Sequence, residues 1–165
     1  MIDLEQFRND STARAADNKK FLRSLKGADD RKLDGLFQEA HEEVFAKTDC
    51  LECANCCKTT SPIFYHVDIE RLSKALRIRP GEFIDRYLRV DEDGDHVLRS
   101  SPCPFLGADN HCAVYDSRPR ACREYPHTDR RKIAQLLDLT HRNTLVCPAV
   151  LKIVDRVKNA WKGQK

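Results

Sequence analysis

The sequence predicts a mostly helical α+β fold, in which a small cysteine-rich core with short β-hairpins is flanked by N- and C-terminal helices. Three observations predict it. Apolar residues in both end segments recur at i, i+3, i+4 and i+7, the spacing that lines one face of a helix. Turn residues around Asp93-Gly94 and across Gly107 to Asn110 interrupt runs suited to paired strands. Eight cysteines lie between positions 50 and 147. The expected organisation is a helical N-terminal extension over 1–49, a cysteine-cluster domain over 50–150, and a C-terminal helix and tail over 151–165 packed on that same domain.

In the first 49 residues there is no cysteine and no proline. Asp10 and Ser11 are placed to cap a helix carrying Ala15, Phe21, Leu22 and Leu25, which stops at Gly27, the residue type that best tolerates a left-handed end. Asp29 or Asp30 begins the next helix, whose apolar face is Leu33, Leu36, Phe37, Ala40, Val44 and Phe45. His41 borders this face and reads as a packing residue, since no second ligand stands at helical spacing from it. Thr59 to Tyr65 reads as extended. Asp68 to Leu76 and the segment from Pro80 read as two scaffold helices, burying Ile69, Leu72, Ala75 and Leu76 in the first and Phe83, Ile84, Tyr87 and Leu88 in the second.

Asp91 to Asp95 imitates a calcium loop, but its glycine comes too early and Pro102 stands where the bidentate glutamate belongs. It is expected to be a hairpin turn, with His96 to Arg99 as the returning strand. Cys103 to Tyr115 reads as a second hairpin. Asp116 or Ser117 is expected to cap a short helix that carries Cys122, with Pro119 in its first turn. Beyond Asp129, helical spacing returns with Ile133, Leu136, Leu137 and Leu139. After an Asn143-Thr144 loop, Pro148 opens a last helix with Val150, Ile153, Val154, Val157 and Trp161 inward. That places Cys147 at the N-cap, where the helix dipole favours a thiolate.

Everything else is arranged around Cys50-Leu51-Glu52-Cys53-Ala54-Asn55-Cys56-Cys57. Thiolates are the ligands preferred by zinc, copper(I) and iron–sulfur clusters, and a C-x-x-C pair reaches one metal from a single turn. Adjacent side chains point apart, so Cys56 and Cys57 are expected to serve different ions or to include one non-ligand. Cys103, Cys112, Cys122 and Cys147 are too dispersed to form a site locally and must be brought in by the fold. Eight sulfurs accommodate two four-thiolate sites, one bridged binuclear site, or one cluster with thiols to spare. Disulfides are the competing use of an even cysteine count in a secreted domain. Against them, Met1-Ile2-Asp3-Leu4-Glu5 has acids where a signal peptide needs basic residues, so a cytoplasmic protein is expected. Arg118, Arg120 and Arg123 crowd Cys122, and the expectation is that some of them compensate thiolate charge or bond ligand carbonyls; phosphate binding is the other use of such a cluster. Lys58 and Asn55 are expected to support the loop.

C-x-x-C-x-x-C-C, Cys103-Pro104-Phe105-Leu106, Cys112-Ala113-Val114-Tyr115 and Arg118-Pro119-Arg120-Ala121-Cys122-Arg123-Glu124-Tyr125-Pro126 occur in that order. Together they resemble the YkgJ-type cysteine-cluster family, CxxCxxCC, described as a zinc- or iron-chelating domain. The resemblance covers Cys50 to Pro126, with Cys147 as the eighth cysteine. It implies metal chelation by Cys50, Cys53, Cys56, Cys57, Cys103, Cys112, Cys122 and Cys147, with zinc or iron, or an iron–sulfur cluster, as the cofactor. Some members have been called iron–sulfur oxidoreductases, and a related cysteine motif occurs in flagellin lysine methylases.

Two functions therefore compete. One is a module whose ion is structural or held for a protein partner; the other is a redox or transfer enzyme built on an iron–sulfur cluster. The C-x-x-C-x-x-C spacing favours the enzyme, although Cys57 departs from the ferredoxin run. The lack of a phosphate loop, dinucleotide fingerprint, H-E-x-x-H or G-x-S-x-G motif favours the module. The formal charge of +3 turns slightly negative once eight thiolates hold two divalent ions, so it says little for nucleic acid. The Arg118 to Lys132 stretch also lacks interleaved aromatics. No apolar run approaches membrane-spanning length.

Overall fold

The computed structural model describes residues 2–163. The elements run α1 (Leu4–Ser24), α2 (Asp30–Phe45), α3 (Asn55–Thr59), α4 (His66–Leu76), α5 (Pro80–Tyr87), β1 (Leu88–Val90), β2 (His96–Leu98), α6 (Arg120–Glu124), α7 (Leu137–Thr144) and α8 (Pro148–Lys162). Short 3-10 turns occupy Cys50–Glu52, Tyr115–Ser117 and Ile133–Leu136. The mostly helical α+β class is what the structure has. Two compact units divide the chain: one runs through Cys53 and resumes at Pro126, and the other is Ala54–Tyr125. Among the described residues, no helix is long and apolar enough to cross a membrane.

The first unit is a helical bundle. α2 packs on α8, and α1 packs on α7. Leu22, Leu25, Leu33, Phe37, Val44, Ile133, Leu137, Val150, Ile153, Val154 and Val157 form its core. Each fully buried Leu, Ile or Phe is worth roughly 1.5–3 kcal/mol relative to exposure, so the bundle has a large apolar reserve. The Asp29 carboxylate accepts the Lys32 amide at 2.8 Å and caps α2. Asp34 accepts the amides of Lys132 and Ile133 at 2.8 and 2.9 Å, which fixes the start of the turn leading into α7. His41 packs as the sequence suggests, with Nδ1 2.8 Å from Thr128 Oγ1 and its ring against Phe45.

Several expectations need correction. α1 starts at Leu4 rather than at Asp10 or Ser11; Asp3 is the cap, its carboxylate accepting the Glu5 and Gln6 amides at 3.0 Å each. The inward face of α1 runs Phe7, Ser11, Asn18 and Leu22, and the two polar residues break the apolar periodicity that would have carried the helix back to Leu4. Asn143 and Thr144 are not a loop. They close α7 and are buried, with Asn143 Nδ2 donating to the Pro126 carbonyl at 3.1 Å.

The second unit has fewer regular residues. Phe64, Ile69, Leu72, Phe83, Leu88, Leu98, Phe105 and Val114 form its core. The rings of Phe83 and Phe105 lie nearly parallel with centroids 6.1 Å apart, and Tyr87 tilts against both. The first expected hairpin is present, with Leu88 opposite Leu98, Arg89 opposite Val97 and Val90 opposite His96. Its turn is closed by Asp91, whose carboxylate accepts the Asp93 and Asp95 amides, and by Gly94 at φ +86°. Phe64 runs beside β2, donating its amide to the His96 carbonyl at 2.8 Å. Ala75, expected inward, is exposed. The second hairpin shrinks to one antiparallel bridge, Leu106 opposite Cys112, because both arms turn away from it, Leu106 donating to the Cys103 carbonyl and Tyr115 to the Cys112 carbonyl.

Candidate metal centre

The second unit gathers Cys57, Cys103, Cys112 and Cys122. Cys57 sits in α3, which begins after Ala54 in the left-handed region at φ +47°. Two hydrogen bonds fasten the next cysteine segment to that helix. The Cys103 amide donates to the Cys57 carbonyl at 2.8 Å, and Ser101 Oγ donates to the Lys58 carbonyl at 2.7 Å. The chain then turns tightly at Gly107, whose amide donates to the His111 carbonyl at 2.8 Å. A Cβ on Gly107 would stand 2.6 Å from Asp109 Oδ1, the atom that accepts the His111 amide, so a side chain there would displace the turn's own brace. Past the turn, Ala113 donates to the Phe105 carbonyl at 2.8 Å, which returns the Cys112 segment beside the one that carries Cys103.

Cys122 comes from α6. Here Asp116 and Ser117 are not caps but part of a 3-10 turn, and Pro119 is the residue before the helix. The four thiols lie within electrostatic range of one another. Burial pushes Cys122 up to about 12, and the charges of Cys57, Cys103 and Cys112 push in the same direction. Burial likewise raises Cys103 and Cys112, although the amides of Phe105 and Leu106 donate to the Cys103 sulfur and that of Val114 to the Cys112 sulfur. Cys57 alone among them goes down, to about 7. The hydrogen bond from Cys56 is the main cause, with the charges of Arg118 and Lys58 helping against burial.

In the first unit, Cys50 opens a 3-10 turn and Cys53 closes it, donating its amide to the Cys50 carbonyl at 3.1 Å. Asp49 caps the turn through the Leu51 amide at 2.8 Å. Cys147 is the N-cap of α8, as expected, with Pro148 in the first turn. Its own amide donates to the Asn143 carbonyl at 2.8 Å, so the buried end of α7 holds it in place. The expectation that the helix terminus favours a thiolate is only half met. Amides of Val150 and Ala149 do donate to the Cys147 sulfur, but burial outweighs them and lifts the thiol to about 11, with Cys50 and Cys53 adding to the rise. Thus Cys50 and Cys53 lie within electrostatic range of Cys147.

All eight cysteines are thiols rather than disulfides. Cys56 and Cys57 are adjacent in one helix, and the Cys56 side chain is hydrogen-bonded to the Cys57 sulfur. Among the described residues, no three His, Cys, Asp or Glu groups stand as a ready-made metal site. The chemistry of the donor set nevertheless fits a zinc or iron ion: soft sulfurs, several already accepting backbone amides that would stabilise negative charge. Of the three arginines, Arg118 is the one whose charge acts on the sulfurs, lowering Cys57, Cys112 and Cys122. Its Nε donates to the Tyr115 carbonyl at 2.8 Å and its guanidinium lies 3.4 Å from that ring's centroid. Arg120 is exposed and engaged by Glu124, which raises its pKa.

Sequence reasoning missed the amide donors and the role of Cys56 as a donor to Cys57. Backbone groups carry no side-chain signature, although short Cys-Pro-Phe-Leu and Cys-Ala-Val runs leave room for little else. A family model described as a "putative zinc- or iron-chelating domain", CxxCxxCC, matches residues 49–147. No curated protein and no solved structure matches the chain.

Proposed function

The chain belongs to the CxxCxxCC family, and from that premise we propose that it is a cytoplasmic module that holds zinc or iron through all eight cysteine thiolates, grouped in two centres within the domain 50–150. One centre uses Cys57, Cys103, Cys112 and Cys122; the other uses Cys50, Cys53 and Cys147. Cys56 is the eighth ligand, and serine substitution assigns it to its ion. The observation that carries this reading is that cysteines from three separate segments of the second unit are drawn within electrostatic range, with the Cys103 amide on the Cys57 carbonyl and Leu106 bridged to Cys112. A neutral thiol can be buried at little cost, so the support for metal is the gathering of several thiols with backbone amides already donating to their sulfurs.

A bound ion supplies positive charge that stabilises thiolates and ties together segments far apart in the chain. The protein supplies the rest. Cys57, already near half-ionised at neutral pH, offers the first ligand. Cys103, Cys112 and Cys122 give up protons on binding, the amides of Phe105, Leu106 and Val114 remain as donors to sulfur, and Arg118 offsets negative charge. The partners are transition-metal ions and a protein that receives or relies on them; nucleic acid and membrane have no part in the reading.

Anaerobic purification, elemental analysis and an absorption spectrum test it. A colourless protein with zinc, or one with iron and no acid-labile sulfide, is the expected result. Brown colour with acid-labile sulfide would replace the ions by a cluster and favour a redox enzyme. Native protein with no metal and every thiol titratable would end the proposal.

A further inference from the structure

α4 read as plain scaffold in the sequence, yet it carries a carboxylate with no exposed surface, Asp68. Burying such a charge is costly unless it is paired and fully hydrogen-bonded. Asp68 is both. Its Oδ1 accepts from Arg71 Nη2 at 2.5 Å and from the Arg120 amide at 3.1 Å, and its Oδ2 accepts the Tyr65 amide at 3.2 Å. Arg71 extends the grip, with Nη2 donating to the Arg118 carbonyl at 2.8 Å and Nε to the Ser117 carbonyl at 3.3 Å.

These bonds fall on the segment that joins Cys112 to Cys122. Most of its backbone is satisfied locally: Tyr115 donates to the Cys112 carbonyl, Ser117 to Val114, Arg118 to Tyr115, and Cys122 and Arg123 to Pro119. The Ser117 and Arg118 carbonyls and the Arg120 amide face outward from that network and are taken by Arg71 and Asp68. α6 has five residues and no side-chain cap of its own. A helix so short is not stable by itself, so where its first turn sits is decided by what holds its leading amide.

We infer that Asp68 and Arg71 are positioning residues for the Cys57, Cys103, Cys112 and Cys122 centre, setting where Cys122 and Arg118 stand and hence how tightly the ion is held. The inference rests on the metal reading above. Metal–sulfur distances tolerate only about 0.2 Å of error, so a shift of α6 that leaves the apolar core intact is enough to loosen the ion. Groups that orient ligands from behind typically contribute about 10–100-fold in affinity.

The test titrates the full-length chain with cobalt(II), following the thiolate-to-cobalt charge-transfer band and competing the ion away with a chelator. Cys122→Ser marks which bound equivalent belongs to this centre. Asp68→Asn and Arg71→Lys are each expected to weaken that equivalent about 10–100-fold and to alter its charge-transfer band, leaving the other equivalent unmoved. Arg71→Lys keeps the charge but loses the two-sided fork, so it decides the matter if Asp68→Asn does not fold. Unchanged affinity and spectrum in Arg71→Lys, or equal weakening of every bound equivalent, would make the pair ordinary scaffold and overturn the inference. A wild-type chain that binds no cobalt would instead overturn the parent reading, and this one with it.

Discussion

The two units are held together by different means. In the first, long helices bury a continuous apolar core, with Leu25, Leu33, Phe37, Ile133, Ile153 and Val154 at no measurable exposure. In the second, a smaller aromatic core supports a three-residue hairpin and loops, and the segments bearing Cys57, Cys103, Cys112 and Cys122 are joined by single backbone bonds, a buried ion pair and neighbouring thiols. The lesson is about where folding free energy resides. Helices with an apolar face stabilise themselves by packing, whereas loops fixed by a few polar contacts need an added cross-link.

The largest expected effect follows directly. Metal binding by a site absent from the unfolded chain appears as folding free energy, about 10–16 kcal/mol for structural zinc in small domains, against a typical total of about 5–15 kcal/mol. Chelation should therefore abolish amide protection around the Gly107 turn and α6 while α1, α2, α7 and α8 keep most of theirs. Hydrogen exchange with and without chelator reads this out, and unchanged protection near Cys122 would erase the contrast between the units.

Next in size, Phe37→Ala removes a fully buried ring from the first unit. It should cost about 3–5 kcal/mol, seen as a lower melting temperature of the helical signal whether or not metal is present. If added metal rescues that loss completely, the helical core is not self-sufficient. The two experiments are complementary.

pH sharpens the comparison further. With Cys103, Cys112 and Cys122 raised by burial, each enters the centre by giving up a proton, while Cys57 is already thiolate above about 7. Affinity for the ion should then rise with pH, with a slope of about three protons above pH 7 and about four below it. In the metal-free chain the sign reverses at high pH. Thiols raised in the folded state contribute stability below their ordinary value of 9.0 and lose it as pH climbs toward about 12 for Cys122 and about 11 for Cys147. Isothermal titration at several pH values checks the first statement; alkaline unfolding of the metal-free chain checks the second.

Much of the fold was legible because it is local. α2, α4, α5 and α8 follow from apolar spacing, Pro80 and Pro148 mark helix starts, and the N-cap position of Cys147 follows from the proline after it. The rest was not, and for physical reasons. Asp3 caps a helix whose inward face is interrupted by the buried polar residues Ser11 and Asn18. Asn143 and Thr144 look like loop residues until the Pro126 carbonyl, 17 positions away, is seen to satisfy one of them. Asp68 looks like a helix-start residue, and indeed caps α4, but its other partner is 52 positions on. The cysteine run hides the most. Cys50 and Cys53 belong to one compact unit and Cys57 to the other, a division no spacing rule over eight residues could express.

The smallest expected effect concerns Cys57, the one thiol of its set that is held down, to about 7. Three groups pull it there against burial: the Cys56 side chain most, then the charges of Arg118 and Lys58. Alkylation of Cys57 in metal-free protein, followed by peptide mapping as a function of pH, reports its ionisation. Cys56→Ala removes the direct hydrogen bond and should move the profile furthest toward alkaline pH. Arg118→Gln removes a charge that acts at longer range and is shared with Cys112 and Cys122, so its shift at Cys57 should be smaller. Lys58→Gln should shift it least, since its charge is the weakest of the three pulls. If Arg118→Gln exceeded Cys56→Ala, charge rather than the sulfur–sulfur hydrogen bond would be preparing the first ligand. The second unit would then resemble an electrostatic trap for an ion more than a set of thiols poised one by one.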